Sequence, residues 1–285
     1  MEDGIVDNWG RWGVDDQIGA LNLITPEKIL QAAGLIKRGI VYSLSVPLDA
    51  DGPQYPTFQK TWKVSHFSGD HSTVQYVDDV VTMETHSGTH IDALGHLIAD
   101  GRMYNDIPDV QANSFGVWKA GIENVRSMVG RGIMLDVPKY RNVDHIGPVD
   151  RISGAELDDI ATKQGVDVEQ GDIVLIRTGW YKLFYEDKET WGMSFPGPDG
   201  KLASWLKEHD ICALGSDTPA VELKTSMTSD HDLHKHALKD LGIYLLENMD
   251  LEELSRDNIY EFMFVGAPLR LTRATGSPWN PLAIV

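Results

Sequence analysis

Cysteine, basic residues and long apolar runs are all scarce in this chain, and each scarcity excludes a class of protein. The single cysteine of the 285 residues, Cys212, cannot form a disulfide within the chain, and its apolar neighbours predict a buried, inert thiol. No stretch approaches the ~20 uninterrupted apolar residues of a membrane span, so no membrane partner is expected. Residues 1–7 lack the basic and apolar regions of a signal peptide. These features predict a protein of the reducing cytoplasm.

Acidic residues outnumber basic residues in this chain. The chain has 25 Lys and Arg against 43 Asp and Glu, a formal net charge of −18 at pH 7. Nucleic-acid binding needs clustered Lys and Arg, so no nucleic-acid partner is expected. An acidic protein also repels polyanions at long range. The expected substrate is therefore a small molecule with one carboxylate or none.

Several catalytic motifs are also missing from the sequence. There is no G-x-S-x-G elbow of a serine hydrolase, and no P-loop, dinucleotide-binding glycine pattern or H-E-x-x-H zinc motif. Cys212 has no basic neighbour that would activate it as a nucleophile. Any catalytic chemistry must therefore depend on other residues.

Strand-like and helix-like segments alternate without an internal repeat, which indicates an α/β fold in one domain. Thr25 followed by Pro26, and Ser153 followed by Glu156 in a capping box, are typical of helix starts. We predict helices at residues 26–37, 154–163, 202–208 and 233–240, and strands at residues 39–46, 74–85, 132–137, 172–178, 211–215, 243–247 and 261–265.

Residues 49–72 and 181–200 show little regular pattern and are predicted to be long loops. Loops of this length in a compact domain are often functional. Trp62, His66 and Phe195 are therefore candidate substrate-binding residues, if the loops act as lids that supply aromatic walls to a pocket. The alternative is that both segments are surface loops with incidental aromatic residues.

Three of the ten histidines, with one aspartate, lie in the eleven residues 86–96. Neutral imidazole and carboxylate are ligand types that zinc and manganese accept. On a strand, His86, His90 and Asp92 face one side, but a straight strand would separate His86 from His90 by roughly 13 Å. One ion bound at about 2 Å could not reach both. We therefore predict a tight turn at Gly88, which tolerates such a bend.

This segment resembles the signature H-x-G-T-H-x-D-x-P-x-H of the Putative cyclase family. The family includes bacterial kynurenine formamidases, isatin hydrolases and related metal-dependent hydrolases of amides and lactones. Every defined position matches except Leu94, where the pattern has proline. Further resemblance covers most of residues 40–268, with matching segments at residues 131–136, 171–180 and 195–197, His234, and residues 242–248.

The resemblance implies a swivelling β/β/α-type fold, in which a β-barrel-like core is flanked by helices, as a single domain over residues 1–285. Residues 1–38 would form an N-terminal extension containing a helix. With this extension, and with Leu94 in place of the motif proline, the chain resembles a longer branch of the family. The resemblance also implies a homo-oligomer, a dimer or tetramer, that acts on a small-molecule substrate.

His86, His90 and Asp92 supply three ligands for a divalent metal and leave a position open for water, the arrangement of a catalytic site. Such a metal lowers the pKa of its bound water towards ~7 and polarises the carbonyl that is attacked. In the family, the histidine at the place of His96 acts as a general acid or base, a role that suits imidazole. His96 as a fourth ligand is the alternative, and Zn²⁺ and Mn²⁺ fit equally.

The resemblance also assigns His234 and Glu247 to the site, either as a second metal position bridged by Asp92 or as groups that orient the water. His231 and His236 compete with His234, and only the spacing to Glu247 favours it. Glu247 ends an apolar strand, where a carboxylate is seldom buried without a cation or donors. The alternative is that this strand ends in solvent.

These inferences predict a metal-dependent hydrolase that uses metal-bound hydroxide to open a cyclic amide or lactone, or to cleave a formamide-type bond. One alternative is a metal-dependent lyase or dehydratase-type cyclase, in which the same base removes a proton and no water is consumed. The other is a non-catalytic binding protein that the metal stabilises.

Overall fold

The computed structural model describes residues 7–53, 55–56, 62–71, 74–226 and 231–285. Within them, nine strands form one curled, half-barrel sheet, in the order β1-β13-β11-β7-β8-β9-β10-β4-β12, and two short hairpins form separate sheets. The strands are β1 Val41–Ser43, β2 Lys63–His71, β3 Val74–Thr82, β4 His90–Asp92, β5 Ala112–Asn113, β6 Gly116–Val117, β7 Met128–Asp136, β8 Ile173–Arg177, β9 Ala213–Ser216, β10 Tyr244–Glu247, β11 Glu261–Gly266, β12 Gly276–Pro278 and β13 Leu282–Ile284.

Helices flank the sheet, and the predicted starts of two of them are confirmed. The Thr25 side chain accepts a hydrogen bond from the Lys28 backbone N–H, and Ser153 accepts one from Glu156. The first helix ends at Ala33, earlier than predicted, because Gly34 is a poor helix former. The helices are α1 Pro26–Ala33, α2 Val137–Arg141, α3 Gly154–Gln164, α4 Leu183–Glu186, α5 Lys188–Met193, α6 Ala203–His209, α7 Asp232–His234, which continues as a π-helical segment Lys235–Leu241, and α8 Glu252–Asp257.

The centre of the sheet is parallel and its flanks are antiparallel. Strands β7, β8, β9 and β10 pair in parallel, whereas β4 pairs antiparallel to both β10 and β12. Parallel strands are normally covered on both faces, which explains why all five residues of β8 are buried. The core that results includes Cys212, whose thiol pKa is raised by burial. The predicted inert, buried thiol agrees with this position.

Both predicted long loops were partly wrong. Residues 63–71, inside the first, form β2 and pair with β3 over their whole length. The pattern was missed because β2 contains Ser, Gly and Asp, and its structure depends on hydrogen bonds to β3 rather than on local propensity. The second contains α4 and α5, and Asp187 caps α5 by accepting a hydrogen bond from the Thr190 backbone N–H.

The edge strand β12 was also missing from the sequence prediction. Its residues, Gly276–Pro278, include two types that are rare in strands, and proline is tolerated only at an edge or a bulge. Its pairing with β4 closes one side of the strand that holds His90 and Asp92. Among the described residues, no helix combines the length and apolar character needed to cross a membrane.

Candidate metal centre

The predicted turn between His86 and His90 is confirmed. Gly88 has φ of +59°, in the left-handed region that favours glycine. Its carbonyl oxygen lies 2.9 Å from Nδ1 of His90 and accepts a hydrogen bond from the Asn248 amide at 3.2 Å. A tautomer with the proton on Nδ1 therefore leaves Nε2 of His90 free to act as a ligand.

Strand pairing then determines which side chains meet. In the antiparallel register of β4 and β10, His90 stands directly opposite Glu247. On the other side of β4, Gly276 of β12 stands opposite Asp92. A Cβ atom at Gly276 would lie 2.5 Å from Cε1 of His86, so the absence of a side chain there leaves room for the imidazole. The sheet thus brings residues from three strands and the preceding turn into one cluster.

Asp92 lies at the centre of this cluster. Its Oδ1 is 2.7 Å from Nδ1 of His86 and 3.7 Å from Nε2 of His90. Its Oδ2 is 3.8 Å from Nε2 of His234. The two carboxylate oxygens therefore face different sets of imidazoles.

Glu247 faces the same imidazoles from the neighbouring strand. Its Oε2 lies 3.2 Å from Nε2 of His90, and its Oε1 lies 3.2 Å from Nε2 of His234. The side chain is buried, so the alternative in which this strand ends in solvent was wrong. His234, at the end of α7, is the histidine that reaches the cluster, whereas Nδ1 of His236 pairs with Asp240 at 2.8 Å.

His96 follows β4 at the end of a short 3₁₀ turn and borders the open side of the cluster. Its ring centroid lies 4.2 Å from that of His86, and the side chain is half-buried. Burial lowers the pKa of His96 to about 4; His86 and His234 add to this shift, and Asp92 opposes it. A neutral imidazole at this position can accept a proton at physiological pH.

Burial opposes ionisation of Asp92 and Glu247, yet the surrounding histidines hold the pKa of both carboxyl groups below the usual range. Burial likewise opposes protonation of His234, but Glu222 and Glu247 raise its pKa to about 10. The site therefore concentrates negative charge that requires positive charge close by.

The donor set fits a divalent metal ion. Asp92 Oδ1 and Glu247 Oε1 are buried, and the histidine nitrogens beside them, at 2.7 Å and 3.2 Å, are atoms that can bind a metal themselves. Asp92 with His86 and His96, and Asp92 with His234 and Glu247, each place three possible ligand atoms within 4.8 Å of one another. Nitrogen and carboxylate oxygen ligands suit zinc and manganese.

A cavity of about 610 Å³ opens onto these residues. Two of the predicted substrate-binding residues, Trp62 and Phe195, are not among its described lining residues. Phe195 is fully buried and lies behind the wall residue Tyr55, with ring centroids 5.8 Å apart. Trp62 lies beside Gly88 in a smaller crevice, and the side chain of His66 lies outside the described residues. The rest of the described wall combines apolar and polar residues: Tyr55, Leu97, Ile98, Ala99, Pro219, Ala220, His231, Asp232 and Lys235.

Sequence reasoning missed Glu222, which lies behind His234. Its Oε1 is 3.0 Å from Nδ1 of His234 and 2.9 Å from Nζ of Lys224. The only local signal was a pair of charged residues flanking Leu223 near an apolar segment, which does not indicate a buried site. Thr275, whose hydroxyl lies 3.0 Å from Nε2 of His86, gave no signal either.

Comparison with known proteins shows the family. A profile of the family described as Putative cyclase matches residues 42–223. A kynurenine formamidase of Bacillus cereus is 30% identical over 202 residues, which cover 70% of this chain and 75% of that relative. The chain belongs to the Putative cyclase family, as the histidine motif predicted.

Solved structures agree with this assignment. A crystal structure described as a novel cyclase superposes with a TM-score of 0.90 at 31% identity, covering 98% of this chain and 100% of the other. Isatin hydrolase A from Labrenzia aggregata has a TM-score of 0.66 at 22% identity, covering 89% of this chain and 95% of its own, and shows the shared fold. The predicted α/β fold with a barrel-like core is confirmed. The related kynurenine formamidase is a hydrolase of a C–N amide bond, so the family includes enzymes.

Gly88→Ala tests whether the turn sets the spacing of the histidines. A Cβ atom at Gly88 would lie 2.4 Å from Cδ2 of Leu48, whereas Gly165, also at positive φ, has no heavy atom within 4 Å. Both alanine variants should lose about 1–3 kcal/mol of unfolding free energy from backbone strain. Only Gly88→Ala should also weaken zinc binding, by about tenfold or more, as when ligand-orienting groups are disturbed. Urea unfolding and zinc titration measure both effects, and equal zinc affinity in the two variants would contradict the role of the turn.

Proposed function

We propose that this protein is a metal-dependent hydrolase that opens a cyclic amide or lactone, or cleaves a formamide-type bond, in a small organic substrate. The observation that carries this proposal is the bridging position of Asp92, whose two oxygens face different imidazoles at the end of a cavity. The cofactor would be Zn²⁺ or Mn²⁺. The names of the related formamidase and isatin hydrolase support the amide class of substrate.

Two metal positions that share Asp92 account for the donor atoms. His86 and His90 would hold the first with Oδ1 of Asp92, and His234 and Glu247 would hold the second with Oδ2. A bound divalent ion supplies Lewis acidity, which lowers the pKa of water and polarises a carbonyl. The open side of the cluster faces the cavity, so substrate reaches it from there.

His96 is positioned to move the proton. It borders the cavity beside His86, and its lowered pKa keeps the ring unprotonated at neutral pH, so one ring nitrogen has a free lone pair for a proton of the attacking water. After attack, the same ring can return the proton to the leaving nitrogen or oxygen. The role is that of a general base followed by a general acid, with no net change in the enzyme.

The cavity supports a small and partly apolar substrate. Its volume of about 610 Å³ lies within the usual range for small-molecule sites. Leu97, Ile98, Pro219 and Ala220 provide apolar walls beside the polar cluster. An aromatic or aliphatic ring fused to, or carrying, the scissile amide or ester fits such a lining.

A homo-oligomer in the cytoplasm is part of the proposal. The β2–β3 hairpin forms its own two-stranded sheet, and Val77 and Val81, on one face of it, are 66% and 51% exposed. An isolated hairpin is only marginally stable in water, so packing against a second copy of the chain would stabilise it. The single buried cysteine fits a reducing compartment.

Labelled water tests the reaction class. With metal-loaded enzyme and a panel of lactones, cyclic amides and formamides in H₂¹⁸O, we expect one ¹⁸O atom in the carboxylate product, since hydrolysis consumes water. Mass spectrometry of the product measures this. A chelator should abolish turnover, and Zn²⁺ or Mn²⁺ should restore it. A product without label would assign the site to a lyase or cyclase instead.

His96→Ala should separate proton transfer from metal binding. We expect kcat to fall by about 10²–10⁴, the usual contribution of a positioned acid or base, while metal content per chain stays at the wild-type value. His236→Ala is the matched control, because His236 pairs with Asp240 away from the cluster, and it should retain near-normal kcat. Loss of metal in His96→Ala would make His96 a ligand and contradict its assignment as the base.

A further inference from the structure

Glu222 connects the metal centre to a buried lysine. Its Oε1 lies 3.0 Å from Nδ1 of His234, 3.0 Å from Nδ1 of His231 and 2.9 Å from Nζ of Lys224. Its Oε2 accepts a hydrogen bond from the Leu233 backbone N–H at 2.9 Å. The carboxylate thus holds both the ring of His234 and the backbone of α7, the helix that carries this ring.

Because these residues are buried, their contacts restrict where the side chain of Glu222 can lie. Glu222 is 2% exposed and Lys224 is not exposed at all. Burying one charge without its partner costs several kcal/mol, so Lys224 keeps Glu222 ionised and in place. The backbone of Lys224 is itself fixed, since its N–H donates to the Phe195 carbonyl and its carbonyl accepts from the Phe195 N–H.

The backbone beside Glu222 is strained. Val221 has φ of +54°, a region that β-branched residues rarely adopt. It is the centre of a three-residue turn in which the Glu222 N–H donates to the Ala220 carbonyl oxygen. Such strain persists only where the surroundings enforce it, often at functional sites. The turn immediately precedes Glu222, whose side chain contacts α7.

We propose that Glu222, held by Lys224, is a positioning residue that orients His234 so that its Nε2 faces Asp92 and Glu247. Glu222 thereby sets the affinity of the second metal position. This inference rests on the proposed two-position site. One imidazole can bind a metal through one nitrogen while the other nitrogen contacts a carboxylate, which fixes the ring and raises its basicity.

Glu222, His231 and His234 could instead be a metal site in their own right, because their donor atoms lie within 4.8 Å of one another. The structure favours the positioning role. The Lys224 ammonium group already neutralises the Oε1 that such a metal would need. His231 is also half exposed on the cavity wall, so it is not fixed as a ligand.

Zinc titration of metal-free protein tests the proposal. We expect wild type to bind two ions per chain, and Glu222→Gln to bind the second ion about 10–100-fold more weakly with the first unchanged. Asp172→Asn is the matched control, because Asp172 is a buried partner of Arg131 in another part of the sheet. It should leave both affinities unchanged. His231→Ala should also leave them unchanged, and a weakened affinity there would make His231 a ligand and overturn the positioning role.

The outcomes separate this inference from the proposed function. Wild type that binds no zinc would contradict the metal-dependent function, and the positioning role with it. Two ions in wild type with both affinities unchanged in Glu222→Gln would overturn only the positioning role. If circular dichroism shows that Glu222→Gln does not fold, Glu222→Asp replaces it, because aspartate keeps the charge beside Lys224 but is one methylene too short to reach His234. That variant should lose at least tenfold in affinity for the second ion, and wild-type affinity would overturn the proposal.

Discussion

The burial of Asp92 and Glu247 side by side is the constraint on which the rest of this site depends. Two ionised carboxylates on neighbouring strands repel each other, and burial removes the water that would screen them. The two carboxylates are surrounded by His86, His90 and His234. Imidazole nitrogens lie 2.7–3.8 Å from these carboxylate oxygens. A divalent cation would complete the charge balance.

The fold supplies the cluster by combining a rigid sheet with local backbone strain. The parallel centre of the sheet fixes β10, and the antiparallel partner β4 then places His90 opposite Glu247. Positive φ at Gly88 brings His86 back towards Asp92, and positive φ at Val221 immediately precedes Glu222, which contacts His234. Strain of this kind lowers stability and is retained where geometry matters for function. The side chains of the candidate metal centre thus have defined positions, because the residues that hold them are buried and their placement is set by the backbone.

An interaction in this site could be predicted from the sequence when the residues that make it lie close together in the chain. The spacing of His86, His90 and Asp92, with Gly88 between them, predicts a turn and a shared face because all the information lies within seven residues. The position of Glu247 could be inferred from its place at the end of an apolar strand. The family resemblance supplied His234, which spacing alone did not distinguish from His231 or His236. The roles of Trp62, His66 and Phe195 in substrate binding stay predictions.

Glu222 and Lys224 could not be predicted, because the contact of Glu222 with α7 follows a strained turn that has no local sequence signature. The central claim is that Asp92 bridges two metal positions, and anomalous X-ray diffraction from crystals of zinc-loaded protein tests it most directly. The account predicts two anomalous peaks, one beside His86 and His90 and one beside His234 and Glu247, each about 2 Å from an oxygen of Asp92. Zinc peaks that lie away from Asp92, or a single peak between Glu222, His231 and His234, would contradict it.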